Sequence, residues 1–212
     1  MKGMAFNAEM ARALWERRKT VTRRLMKPQP IESVELIHGI WCEQWDVSRG
    51  DGYADQDARP LKQPYHPGEV VYVKETWNIS PLREMLPWEV GYLWPYNHAL
   101  RVIFKADCRS EKYPDHPKWG KARWRPATNL EEKCARLHLE IASVRPERIQ
   151  EITEAEAVRE GIEFYLASGG KQHEKMDMAS QFSMLWNTLY PGSWERNDWV
   201  WRIELEEVWR AR

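Results

Sequence analysis

The chain has 212 residues, enough for one domain with a substantial core or at most two small ones. Its 32 Lys and Arg balance 32 Asp and Glu, so net charge alone predicts neither a nucleic acid nor an anionic membrane surface as partner. The start lacks the apolar run of a signal peptide, and no stretch approaches the roughly 18 apolar residues of a membrane span. We therefore expect a cytoplasmic protein without a membrane partner.

Cysteine and histidine usage argues against a disulfide framework and against a metal centre. The three cysteines are widely spaced and form no CxxC pair, which is typical of a reducing compartment. None of the six histidines pairs with a cysteine or a second histidine at metal-ligand spacing. We expect no metal and no cofactor. The sequence does not fix the oligomeric state, for which we expect a monomer.

The charges are unevenly distributed along the chain. Residues 1–30 carry eight Lys or Arg and two acids, and residues 101–125 carry eight and three. Residues 131–163 reverse the sign, with nine acids and five bases. This pattern is compatible with a local anion-binding face on a neutral protein.

In chain order, the first element is a short amphipathic helix followed by a basic stretch. Asn7 is placed to cap a helix that runs to about Arg17 or Arg18. Five of the eight residues in 17–24 are cationic, and the β-branched residues among them favour an extended backbone. This stretch is either a segment that binds anions or an ordinary solvated charge run.

The middle of the chain contains a predicted surface insertion at about 46–66 and a clear strand over 69–77. The strand carries Lys74, Glu75 and Trp77 at its end. A cation, an acid and an aromatic in this order are able to bind a polar aromatic ligand. They equally fit an edge-strand ion pair beside a core tryptophan.

A second basic segment forms a predicted loop at about 113–126. Its bases and aromatics are interleaved, as on surfaces that bind single-stranded nucleic acid. Long cations packed around core tryptophans give the same composition, so both interpretations stay open. The residues that we expect to contact nucleic acid are Lys118, Lys121, Arg123, Trp124 and Arg125.

The last third of the chain alternates strands and helices irregularly. A strand is predicted over 136–144, and Thr153 with Glu156 forms a capping box for a helix that ends at Gly161. A further helix follows over 182–189, and residues 198–208 alternate like a strand with one side in the core. Together these elements predict a single α+β domain on a small mixed or antiparallel sheet.

Several motifs in this order resemble the ASCH family of the PUA-like superfamily, in particular its phage and prophage members. They are Gly3–Asn7, Arg18–Arg24, Pro67–Trp77, Lys118 with Trp124–Pro126, Val144–Arg148, Ile152–Ala157 and Trp199–Trp201. The resemblance implies a small mixed β-barrel of about six strands with helices packed around it. It also implies a cleft for a nucleoside or RNA.

Small bacterial members of this superfamily that resemble the chain remove the acetyl group from N4-acetylcytidine. The resemblance implies a catalytic trio of Lys19 and Thr22, from the pattern Lys-Thr-x-Thr-x-Arg, and Glu160 downstream. Glu160 stands in the last turn of its helix, where the helix dipole disfavours a negative charge. The residues expected to contact substrate are Arg23, Arg24, Lys74, Glu75 and Trp77.

The chemistry of amide hydrolysis needs a nucleophile or an activated water, a base, and a donor to the developing oxyanion. A threonine hydroxyl becomes a nucleophile only when a base removes its proton, and a lysine serves as that base only with a pKa well below about 10.4. Two other functions remain open on the same residues. One is a non-catalytic module that binds RNA or modified nucleotides, and the other is a ribonuclease whose lysine and arginines hold the scissile phosphate.

Overall fold

A computed structural model describes residues 1–31, 33–44, 58–81, 92–93, 100–107, 124–162 and 176–210. Within these residues the protein is a mixed α+β structure, as predicted. Its helices are α1 (Ala8–Trp15), α2 (Glu154–Arg159) and α3 (Met178–Leu189). Its strands are β1 (Lys2–Ala5), β2 (Val21–Leu25), β3 (Val34–Ile37), β4 (Ile40–Gln44), β5 (Ala58–Pro60), β6 (Val70–Lys74), β7 (Trp77–Pro81), β8 (Tyr92–Leu93), β9 (Leu100–Phe104), β10 (Leu137–Arg148) and β11 (Trp199–Arg210).

Each helix begins at a polar side chain that caps its first turn. Asn7 accepts from the Met10 amide at 2.8 Å, and Asp177 accepts from the Ser180 amide at 2.7 Å. Thr153 and Glu156 form the predicted capping box. Gly161 follows α2 with φ of +87°, which supplies the left-handed residue that ends a helix. The starts at Asn7 and Thr153 and the stop at Gly161 confirm the predictions, because caps depend on residues close in sequence. The start of α3 at Met178 lies four residues before the predicted helix.

The described chain divides into two compact units. The first comprises Met1–Lys19, Val70–Glu140 and Glu206–Arg212, and the second comprises Thr20–Glu69 and Ile141–Leu205. Strands β10 and β11 each contribute residues to both units. The prediction of a single domain stays a prediction.

In the first unit, β6 lies between β1, which is parallel to it, and the start of β10, which is antiparallel. A separate sheet has the order β7-β9-β8, with both pairings antiparallel. A buried cluster joins residues of β6, β7 and β9 to the 130–135 segment: Tyr72, Trp77, Val102, Phe104, Leu130, Cys134 and Ala135.

In the second unit, β2 pairs antiparallel with β11, placing Thr22 opposite Ile203 and Arg23 opposite Arg202. Strands β3, β4 and β5 form a second antiparallel sheet. Helices α2 and α3 pack on each other. Within the described residues, β2 pairs with β11 alone and is therefore the edge strand of its sheet.

Three sequence predictions differ from the structure. The strand over 69–77 is two strands, because Glu75 and Thr76 leave the first sheet and Trp77 pairs with Phe104 and Arg125 instead. Strand β11 has both faces covered near Arg202, not one. The sheets of the described residues are open, so the predicted barrel is not confirmed.

Most of the predicted insertion at 46–66 and of the basic loop at 113–126 lies outside the described residues. In the described part of the chain, no helix has the length and apolar character needed to cross a membrane.

Candidate functional site

The basic stretch passes into the buried strand β2. The first three residues of β2 are buried: Val21, Thr22 and Arg23. Burial of the Arg23 charge without a partner would be costly. Strand β2 therefore needs partners for its polar side chains on both faces. The pairing with β11 supplies the backbone partners, and acidic residues from β10 and α2 supply those for Arg23.

The guanidinium of Arg23 is divided among three carboxylates. Its Nε donates to Glu147 at 2.6 Å, Nη2 to Glu156 at 2.8 Å and Nη1 to Glu160 at 3.1 Å. The Arg23 side chain has no exposed surface, and its guanidinium carbon lies 5.9 Å from the centre of the Phe182 ring. Charge-assisted hydrogen bonds of this kind fix direction as well as distance.

A second arginine extends this network along β11. The Nε atom of Arg202 donates to Glu156 at 2.8 Å, and its Nη2 donates to Glu204 at 2.9 Å. Glu204 also accepts from Ser143 at 2.9 Å and from Arg159 at 3.2 Å. We call the whole network the Arg23 cluster: Arg23, Arg145, Arg159, Arg202, Glu147, Glu156, Glu160 and Glu204.

The carboxylates of the Arg23 cluster differ in their pKa values. Burial raises the pKa of Glu147, and the attraction of Arg23 only partly offsets it. Burial also acts on Glu156, but there Arg23 and Arg202 together outweigh it and lower the pKa. Hydrogen bonds from Ser143 and Arg202 lower the pKa of Glu204 to about 2. The cluster thus pairs acidic and basic groups around a buried centre at Arg23, with Arg145 and Arg159 partly exposed at its margin.

The end of α2 is held against the start of β2. The Thr20 amide donates to the Arg159 carbonyl at 2.9 Å, and Arg159 Nε donates to the Thr20 hydroxyl at 3.1 Å. Glu160 follows Arg159 as the C-cap residue of α2. Two residues that are 139 positions apart in sequence therefore fix the C-terminus of α2 beside the basic stretch.

All three residues of the predicted catalytic trio are buried. Lys19, Thr22 and Glu160 are each 4% exposed. Lys19 belongs to the first unit and immediately precedes Thr20, whereas Thr22 and Glu160 belong to the second. Glu160 meets β2 at Arg23, the residue after Thr22. Convergence of all three side chains stays a prediction.

Successive residues of a strand project to opposite faces, so Thr22 lies on the other face of β2 from Arg23. Thr22 shares its face with Ile203, its register partner on β11. Arg24, predicted to contact substrate, also lies on the Thr22 face and is half-buried opposite Trp201. Arg23, predicted for the same role, lies within the Arg23 cluster.

The first unit contains a separate buried ion pair at Glu75. Arg136 donates to both carboxylate oxygens of Glu75, at 2.8 and 2.7 Å, and both side chains are 2% exposed. A second pair of hydrogen bonds joins Arg136 to Asp107 at 2.9 and 2.8 Å. The guanidinium also lies 4.7 Å from the Trp15 ring centre and 4.3 Å from that of Phe104. Glu75 therefore forms an ion pair, but its partner is Arg136 and not the neighbouring Lys74 of the edge-strand pair considered from sequence.

The other residues predicted near Glu75 lie in different surroundings. The Nζ atom of Lys74 donates to the Thr128 carbonyl at 3.0 Å and lies 5.4 Å from the Tyr72 ring centre. Trp77 is buried in the core, and the exposed Arg125 covers its ring at 4.9 Å. A covered ring of this kind is not open for a base to stack on.

Of the residues predicted to contact nucleic acid, two belong to the described chain. Trp124 is half-buried and Arg125 is exposed. Three lie outside the described residues: Lys118, Lys121 and Arg123.

Sequence reasoning missed the acidic partners of β2 and the role of Arg202. Glu147 and Arg202 sit in strands as alternating charged residues, a pattern that normally marks a solvent face. The only available signal was that basic and acidic residues occupy the outward positions of different strands. The contacts of Glu147 and Arg202 with the Arg23 cluster depend on how the strands pair, including β2 with β11, and local sequence patterns do not determine that pairing.

No group of three or more His, Cys, Asp or Glu side chains that could hold a metal ion occurs within the residues that the structure describes. Comparison with protein-family models, with curated proteins and with solved structures found no match for the chain.

Proposed function

We propose that the chain is an ASCH-type amidohydrolase that removes the acyl group from N4-acylated cytidine, with Lys19, Thr22 and Glu160 as its catalytic residues. The observation that supports this is the hydrogen bond of 3.1 Å between Arg23 Nη1 and Glu160 Oε1. It brings a glutamate from 137 positions downstream onto the residue that follows Thr22. Local sequence patterns do not predict a contact between residues so far apart in the chain.

The position of β2 in its sheet also supports the proposal. Strand β2 is an edge strand among the described residues, and the C-terminus of α2 lies along it through Thr20 and Arg159. A side chain at a strand edge is able to reach groups on either face. A glutamate at this edge is therefore compatible with contacts both to Arg23 and to the Thr22 side.

The proposed reaction uses the trio, water and a hydrogen-bond donor to the developing oxyanion. Lys19 in its neutral form takes the hydroxyl proton of Thr22, and Thr22 Oγ1 attacks the acyl carbon. The bond from that carbon to N4 breaks, and the proton passes to N4 of the leaving cytidine. Glu160 accepts a hydrogen bond from the N4–H group and orients the base. Water then cleaves the threonine ester, releasing the carboxylic acid and restoring Thr22.

The proposal includes the ASCH family assignment, a PUA-like barrel and a cytoplasmic location. Two local features of the family motifs support it. The basic stretch runs into an extended strand, and the capping-box helix α2 ends at Glu160 and Gly161. A phage or prophage origin belongs to the same proposal.

The test is release of acetate from N4-acetylcytidine by the purified protein. Lys19→Met, Thr22→Ala and Glu160→Gln should each abolish release while the circular dichroism spectrum stays unchanged. Thr188→Ala, on the exposed side of α3, is the matched control and should keep the wild-type rate. Because the trio acts as a unit, double variants should be hardly worse than single ones.

Three outcomes would contradict the proposal. Retention of the wild-type rate by Thr22→Ala would remove the nucleophile. Tight binding of N4-acetylcytidine in calorimetry without acetate release would favour the non-catalytic nucleotide-binding module instead. Cleavage of an RNA oligonucleotide by the same preparation would favour the ribonuclease.

A further inference from the structure

Arg23 holds Glu160 in a way that a simple ion pair does not require. Each of its three guanidinium nitrogens donates to a different residue, and these residues come from β10, from α2 and from the C-cap of α2. We infer that Arg23 is a positioning residue that orients the Glu160 carboxylate for the reaction. The inference rests on the proposed function, since it concerns the same glutamate.

The geometry explains why an arginine stands here. A guanidinium is planar and rigid, so two hydrogen bonds fix the direction of the third. Glu147 on Nε and Glu156 on Nη2 set the plane, and Nη1 then points at Glu160 Oε1. A lysine ammonium carries the same charge but has no such plane, so it holds a carboxylate without orienting it.

Glu160 gains a side-chain partner at a position where its own helix does not orient the carboxylate. Glu160 caps the C-terminus of the six-residue helix α2, where the dipole disfavours a negative charge. Arg23, by contrast, sits in a strand that is paired with β11 and has a fully buried side chain. The buried guanidinium on the paired strand therefore sets the direction of the Glu160 carboxylate.

Arg202 provides a matched control for this role. It is the register partner of Arg23, it is similarly buried, and it also donates to Glu156. Its second carboxylate is Glu204. Arg202→Lys therefore disturbs the same cluster to a similar extent and leaves the bond from Arg23 to Glu160 in place.

The experiment compares Arg23→Lys with Arg202→Lys in the acetate-release assay and in crystal structures. For Arg23→Lys we expect kcat to fall about 100-fold with KM nearly unchanged, since a displacement of about 1 Å in a catalytic group has that effect. We expect the Glu160 carboxylate in its crystal structure to be displaced or to occupy several positions. Arg202→Lys should keep both kcat and the Glu160 position.

A second variant tests the same inference in case Arg23→Lys does not fold. Arg23→Lys combined with Glu147→Gln removes the carboxylate that Nε binds and so lowers the number of charges that the lysine must satisfy. It should show the same fall in kcat. An unchanged Glu160 position in the folded Arg23 variants, or equal losses of kcat in Arg23→Lys and Arg202→Lys, would overturn the inference. A wild-type protein that releases no acetate refutes the proposed function instead, and the crystal comparison still tests whether Arg23 fixes Glu160.

Discussion

The buried pair of Arg136 and Glu75 gives the sharpest test of the energetics in the first unit. Replacing Arg136 by Met keeps most of the side-chain volume but removes the charge. Glu75, at 2% exposure, would then be a buried carboxylate without its bidentate partner. Asp107 also loses a partner, but its side chain is 30% exposed and water can replace the bond.

The expected loss of stability is large. Removing one member of a buried ion pair costs about 3–5 kcal/mol, because the remaining charge is left uncompensated. The Arg136 guanidinium also lies over the rings of Trp15 and Phe104, and cation–π contacts in a desolvated site add roughly 1–2 kcal/mol. Replacing both partners by apolar residues, as in Arg136→Met with Glu75→Leu, should recover most of this loss.

The loss of stability in Arg136→Met should depend on pH in a definite direction. Burial raises the pKa of Glu75 above its ordinary value, and Arg136 only partly opposes the rise. The folded state thus keeps this proton at pH values where the unfolded chain releases it, so the contribution of Glu75 to stability falls as pH rises. Without Arg136 the pKa rises further, and the fall can reach about 1.4 kcal/mol per pH unit. The deficit of Arg136→Met should therefore be larger at pH 8 than at pH 5.

The assay is urea denaturation followed by tryptophan fluorescence at both pH values. Glu16→Gln is the control, since Glu16 pairs with Arg18 and the two side chains are 44% and 29% exposed, so it should leave the midpoint almost unchanged. A loss below about 1 kcal/mol for Arg136→Met would refute the reasoning, because buried pairs are expected to exceed that value. An equal deficit at pH 5 and pH 8 would refute the role assigned to Glu75.

Three further predictions concern the whole chain, the basic loop and the Arg23 cluster. Calorimetry should show one unfolding transition, because β10 and β11 each run through both compact units; two transitions would contradict a single domain. Binding of single-stranded RNA should weaken steeply with salt, since cations on phosphates release counterions. Neutral replacements in the basic loop should flatten the dependence of RNA affinity on salt. The residues to replace are Lys118, Lys121, Arg123 and Arg125. An unchanged dependence would exclude this loop as the nucleic-acid surface. Glu204 has its pKa lowered to about 2, so its contribution to stability is present above 4.5 and is lost as pH falls towards 2. Glu204→Gln should remove that part of the acid dependence, and identical acid-unfolding curves for both proteins would argue against it.

The sequence by itself determined the elements whose signals are local. Asn7 and the capping box at Thr153 marked helix starts, and Gly161 marked a helix end, because each depends on hydrogen bonds or backbone conformation within a few residues. The β-branched residues after the basic stretch likewise marked β2 as extended. The α+β class follows from the order of such elements.

Only the tertiary structure determines which charged side chains pair with each other. Arg23 meets Glu147 and Glu160 across 124 and 137 residues, and Arg136 meets Glu75 across 61. Alternating charges on a strand look the same whether the face meets water or other charges. The difference arises when strands and helices pack and exclude water, so that opposite charges must pair. The break after β6 has the same origin, since Trp77 pairs with Phe104 in another sheet.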